Sequence, residues 1–191
     1  MTAICATTGD SRLNTAQTIE QFLSATEKRA YRMAVIATSN RDDALEIVQD
    51  AMIKLVTRYS NKEAVDWGPL FHRILQSTIR DWYRRSKVRN GVRQFFFGDT
   101  GDEEPDPMDE FADTTQREPG EKLKEQQAMT ALNKAMHQLP LRQQQAFLLR
   151  QWEGLNVAET AAAMGCSQGS VKTHLSRAMT ALRNELGDHW P

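Results

Sequence analysis

The chain has 191 residues, 40% of them hydrophobic and only 7% aromatic, and its 24 Lys+Arg against 25 Asp+Glu leave a net charge of −1. That length allows one domain or two small ones, and the scarcity of Gly and aromatics beside plentiful Ala, Leu, Gln, Glu and Arg favours helices over β-sandwiches. Two distant cysteines, Cys5 and Cys166, and four scattered histidines (72, 137, 174 and 189) argue against a disulfide framework or a metal site, and a reducing cytoplasm is the default location. No stretch reaches the ~18 apolar residues of a membrane span.

The opening residues MTAICATTGDSRLNTAQT lack the basic start and apolar run of a secretory signal, so residues 1–14 are expected to be a loose tail. Helical spacing begins with Ile19, Phe22, Leu23, Ala30, Ala34 and Ala37. TSNRDD breaks that pattern, and Asn40 or Asp42 can cap the next helix. Ala44, Ile47, Val48, Ala51, Met52 and Leu55 then form a second buried stripe, with Glu46, Gln49 and Asp50 on the opposite side. The turn-like SNKEAVDWGP precedes a third helix, predicted from about Leu70 to Lys87. Its inward face is read as Phe71, Ile74, Leu75, Thr78 and Trp82, its outer face as Arg73, Arg80, Arg84 and Arg85. Three such helices make a first domain over 15–93.

The net charge conceals a segregation: residues 1–93 carry +5, residues 94–121 carry −9 and residues 122–191 carry +3. The middle segment, with three prolines, three glycines and eight acids without a base from Asp99 to Asp113, reads as a flexible acidic linker. Phe95, Phe96 and Phe97 at its start suit an anchor on the first domain better than an exposed patch for a partner. Beyond it, Leu123, Ala128, Ala131, Leu132 and Ala135 mark a helix ending at HQLP. Pro140 suits the first turn of the next helix, LRQQQAFLLRQWEG, which stops at Gly154.

Residues 157–179, VAETAAAMGCSQGSVKTHLSRAM, have the spacing of a helix-turn-helix. Ala161 is small where two helices cross, Gly165 suits the turn's positive φ, and Ser167 can cap the second helix. With Val171, Leu175, Ala178 or Met179, and Leu182 turned inward, the outward residues are Gln168, Ser170, Lys172, Thr173, Ser176 and Arg177. Such short hydrogen-bonding groups followed by cations are what a helix in the major groove requires.

These features converge. The second half, LPLRQQQAFLLRQWEGLNVAETAAAMGCSQGSVKTHLSRAMTALRNEL, resembles region 4 of bacterial RNA polymerase sigma factors of the extracytoplasmic-function group of the sigma-70 family. DALEIVQDAMIKL (43–55) resembles region 2.2, and LFHRILQSTIRDWYRR (70–85) resembles regions 2.3 and 2.4, although Leu70 and Ser77 stand where the family usually has Trp and Asn. The resemblance implies an all-α fold of two small helical domains, a region-2 bundle (15–93) and a region-4 helix-turn-helix domain (122–191), joined by the linker at 94–121. It implies no catalysis, no cofactor and no membrane insertion. Glu46, Gln49 and Asp50 would meet the β′ clamp helices of core polymerase, and apolar surface beside Phe147 and Leu148 would receive the β flap. Arg80, Tyr83, Arg84, Arg85 and Lys87, with Arg89 and Arg93, would serve the −10 region, Tyr83 or Trp82 stacking on an unpaired base. The outward residues of 168–177 would read the −35 element. The linker would lie in a basic channel of the polymerase as an RNA mimic, and an anti-sigma factor is an expected partner. The alternative, a stand-alone helix-turn-helix regulator, would need a receiver or ligand domain, and residues 1–93 carry no sheet-like pattern.

Overall fold

The computed structural model describes residues 9–97 and 119–187, with side chains for 18–87 and 129–187. Among the described residues all regular structure is helical: α1 (Gly9–Thr38), α2 (Arg41–Tyr59), α3 (Ala64–Phe97), α4 (Pro119–Gln138), α5 (Leu141–Phe147) running into a π-helical turn (Leu148–Trp152), α6 (Val157–Met164) and α7 (Gln168–Leu186). The stretch Asp99–Asp113 and the side chains of Phe95–Phe97, Arg89 and Arg93 lie outside the described residues.

The α1–α2 break is set by Asn40, whose side chain accepts the Asp43 N–H at 2.9 Å, with Ser39 beside it at a φ of 52°. Every expected core position of α2 is buried except Met52, which is half-buried. The third helix starts earlier than its sequence suggests. Gly68 and Pro69 are poor helix residues in the interior, which is why the stretch reads as a turn, yet α3 runs from Ala64 through both. Burial of Trp67 offsets that cost. The indole is 2% exposed, its Nε1–H donates to the Tyr59 carbonyl at 3.3 Å, and its ring lies 6.1 Å from Phe22. Phe71 meets the other side of Phe22 edge-on at 6.0 Å, pinning α1 to α3. Trp67 is therefore a core residue.

In the second half, Gln144 closes the end of α4: its Nε2 donates to the carbonyls of Met136 and Leu139, each at 3.0 Å. Ala146, Leu149, Leu155, Ala161, Ala163, Met164 and Val171 form a compact cluster between α5, α6 and α7. The two halves lie against each other. α6 packs on α3, α4 and α5 touch α1, and one apolar cluster continues from Ile19 and Ile79 to Leu148 and Leu182.

Candidate nucleic-acid and polymerase interfaces

The helix-turn-helix is built from local signals. Asn156 and Glu159 form a capping box at the start of α6, each side chain bonded to the other's backbone N–H. Gly165 ends α6 in the left-handed region at φ 62°, ψ 47°. Ser167 then accepts the Ser170 N–H at 3.1 Å and opens α7. Val171, Ala178, Leu182 and Leu186 are buried, so Ala178 and not Met179 takes the inward place. Gln168, Lys172, Thr173, Ser176 and Arg177 are exposed along the opposite face. Ser170 is half-buried and its hydroxyl is within 2.9 Å of Ser167 Oγ, while Thr173 donates to the Gly169 carbonyl. Those two hydroxyls serve the helix start first, and Gln168, Lys172, Ser176 and Arg177 are the readier groups.

On α3, Arg84, Arg85 and Lys87 are exposed and Tyr83 is half-buried, with the Lys87 ammonium 5.0 Å from its ring centre. Trp82 packs against the core, which leaves Tyr83 as the available aromatic of the pair. Arg84 is ion-paired to Asp81. Arg80 departs from the expected outer face: it is half-buried, and its Nη1 donates to the Met164 carbonyl at 2.9 Å. Arg142, not singled out from sequence, donates to the same carbonyl at 2.7 Å. Burial, then the Arg142 charge, holds the Arg80 guanidinium below its ordinary value. His174, facing the same region, is lowered by burial and by Arg142 and Arg177. These groups line a cleft of about 820 Å³ between α3 and α7, in which Asp81 is the only acid among the described residues.

On α2, Glu46 and Gln49 are exposed and Asp50 is half-buried, bound to Lys54 at 2.6 Å. Around them lies a feature that the inward-facing pattern hid: Leu45, Ile53 and Val56 are 46%, 61% and 39% exposed. With Gln49 they run at steps of four, four and three, a continuous stripe on one helix face. The signal was present in the sequence, as apolar residues outside the buried register.

Among the described residues no group of His, Cys, Asp and Glu is placed to hold a metal, and no helix is long and apolar enough to cross a membrane.

Comparison with known proteins agrees with this geometry. Residues 129–182 match the family described as Sigma-70, region 4. The chain is 31% identical over 148 residues to the RNA polymerase sigma-E factor of Streptomyces antibioticus, covering 75% of this chain and 71% of that one. It is 30% identical over 162 residues to the RNA polymerase sigma factor SigV of Bacillus subtilis, covering 82% and 83%. The sigma-E factor of Streptomyces avermitilis is 25% identical over 170 residues, covering 87% and 84%. In fold, the chain is similar to the sigma factor RpoE of Bartonella quintana, solved in complex with the anti-sigma factor NepR, at a TM-score of 0.64 and 20% identity over 87% of this chain and 95% of that one. The chain belongs to the extracytoplasmic-function group of the sigma-70 family of RNA polymerase sigma factors, and its role is in transcription initiation.

Proposed function

We propose that the chain binds core RNA polymerase through the α2 face of Leu45, Glu46, Gln49, Asp50, Ile53 and Val56, and directs it to promoters. Arg80, Tyr83, Arg84, Arg85 and Lys87 of α3 serve the −10 region, and the exposed face of α7 reads the −35 element in the major groove. The chain itself catalyses nothing; the polymerase supplies the chemistry, in the cytoplasm. The observation that carries the reading is the α7 face. Its inward side is fully used in packing, yet Gln168, Lys172, Ser176 and Arg177 stay open to solvent immediately after a glycine-hinged turn.

The physical roles follow. Cations on α3 neutralise phosphates, so promoter affinity falls steeply with salt. The Tyr83 ring can accept an unpaired base, a contact worth about 1–3 kcal/mol. The apolar stripe on α2 gains by burial against the β′ clamp helices, with Gln49 and the acids giving register. The apolar surface beside Phe147 and Leu148 suits the β flap. The 21 residues of 98–118, between α3 and α4, can extend to about 70 Å, enough to serve two separated elements. An anti-sigma factor gripping both halves is a further expected partner; the Bartonella relative was solved in complex with one, NepR. Run-off transcription with core enzyme on genomic promoter fragments tests this: transcripts should appear only when the chain is added. A chain that neither binds core nor yields transcripts would refute it.

A further inference from the structure

We propose that the cleft bounded by α3, α5 and α7 binds a small oligophosphate, its phosphate chain held by Arg80, Arg142 and Arg177. Binding of such an anion by the chain alone goes beyond the sigma-factor reading and does not depend on it.

The charges in the cleft are unbalanced. Among the described residues it is lined by five cations, Arg80, Arg84, Lys87, Arg142 and Arg177, and by one carboxylate, Asp81, a formal surplus of four positive charges. Asp81 is ion-paired to Arg84. Arg80, Arg142 and Arg177 form no salt bridge with a carboxylate among the described residues. Two of them are gathered by one atom: the Met164 carbonyl accepts Arg80 Nη1 at 2.9 Å and Arg142 Nη1 at 2.7 Å. That oxygen ends α6, where the macrodipole favours cations, and it fixes both guanidinium groups side by side. A guanidinium carries five N–H donors. Arg142 adds only a long contact from the same Nη1 to Gln145 Oε1 at 3.5 Å, so among the described residues the other donors of the pair have no acceptor.

Like charges this close repel, the more so where water is scarce. Burial and then Arg142 hold the Arg80 guanidinium down, and burial, Arg142 and Arg177 hold His174 down. An anion set among these groups relieves the repulsion. Its chemistry follows from theirs. Guanidinium forks match phosphate oxygens two at a time, and forks already fixed in place lose little freedom on binding. A surplus of four charges suits a chain of phosphates better than a lone carboxylate. The volume of about 820 Å³ lies in the range of small-molecule sites, and Tyr83, Pro140 and Leu141 give it an apolar wall on which a sugar or base can rest. A duplex is the wrong shape. The cleft is roughly 10 Å across, the major groove of DNA alone is about 12 Å wide, and Arg80 and Arg142 are half-buried. In this arrangement of helices a duplex meets the exposed Arg84 and Arg85 rather than the recessed pair.

The test is calorimetric titration of the full chain, free of divalent cations, with inorganic triphosphate, ATP and GTP, against sodium sulfate at matched ionic strength. One equivalent of a triphosphate-bearing ligand should bind, and sulfate should not displace it. Arg142→Gln should weaken binding about tenfold, the loss of one charge-assisted contact. Arg177→Gln should do the same, and because Arg177 is exposed it carries the test even if Arg142→Gln fails to fold. Arg73→Gln removes an equal charge from the exposed side of α3 outside the cleft and should leave affinity unchanged. Tighter binding of ATP or GTP than of inorganic triphosphate identifies a nucleotide with its base on the apolar wall; equal binding identifies the free phosphate chain; either supports the site. No saturable binding at millimolar ligand, full affinity in Arg177→Gln, or an equal loss in Arg73→Gln and Arg177→Gln would overturn the proposal. None of these results bears on the sigma-factor reading, which run-off transcription tests separately.

Discussion

Truncating Ile53 to Ala separates binding from folding on α2. Ile53 is 61% exposed in the free chain, so it contributes little to the core. Surface changes of this kind stay within about 0.5 kcal/mol in stability, and Ala is the better helix former. Burying a whole isoleucine side chain is worth about 1.5–3 kcal/mol. With roughly three-fifths of the residue still open, docking against the polymerase has about 1–2 kcal/mol left to gain there, and alanine forfeits most of it. Ile53→Ala should therefore weaken core binding about 5- to 30-fold. Titrating a fluorescently labelled chain with core polymerase reads the affinity, and thermal unfolding reads the fold. Val65→Ala is the control: Val65 is 76% exposed but sits in the first turn of α3, off the stripe, and should leave affinity unchanged. Core affinity of Ile53→Ala within twofold of the parent, with the fold intact, would remove the stripe from the polymerase interface.

Three further outcomes are expected. Gly165→Ala should cost about 1–2 kcal/mol in unfolding free energy, because φ 62° is unfavourable for a residue with a Cβ, while the added atom meets nothing nearer than Arg80 Nη2 at 3.8 Å; Gly165→Asn should recover part of that loss. Arg177→Ala should weaken −35 duplex binding by about 1–3 kcal/mol if the side chain reads a base edge, or lower the salt slope by about one if it meets only phosphate, as measured by anisotropy across a salt series. Burial, reinforced by Arg29, lowers His72 from 6.5 to about 4, so the fold holds it neutral while the unfolded chain takes up a proton below 6.5. Its contribution is complete above 6.5 and is lost as pH falls towards 4, by up to about 3 kcal/mol. Glu153, raised by burial, works in the opposite direction over the acid range, so the quantity to measure is the difference in denaturant stability between parent and His72→Gln, which should shrink as pH falls through that window.

Much of this was legible from residue patterns because the signals were local. The α2 stripe from Ala44 to Leu55 is a clean 3.6-residue period, and the helix-turn-helix announces itself through Gly165 and Ser167, which act within a few residues of themselves. The start of α3 was not legible. Gly68 and Pro69 carry a strong local signal for a turn, and what overrules it is a tertiary event, the burial of Trp67 against Phe22 and Tyr59. Local propensity is a weak prior when a large aromatic side chain has a place in the core. The exposed Leu45, Ile53 and Val56 were missed for a related reason: a helix read for its buried register treats other apolar residues as noise.

The contact between the halves was hidden more deeply, because its chemistry mimics a solvated surface. His72, Gln76 and Arg80 are polar and evenly spaced, the pattern of an outer helix face, and Glu153 reads as one more charge near a helix end. Apolar residues of both halves also share one cluster, from Ile19 and Ile79 to Leu148 and Leu182, but each of them fits a buried stripe of its own half and so gives no sign of the other. The polar groups are equally at home in water, which is why their pattern matches a solvated face. With the halves in contact, Arg80 of α3 and Arg177 of α7 come to line one 820 Å³ cleft, a proximity that neither stretch of sequence announces.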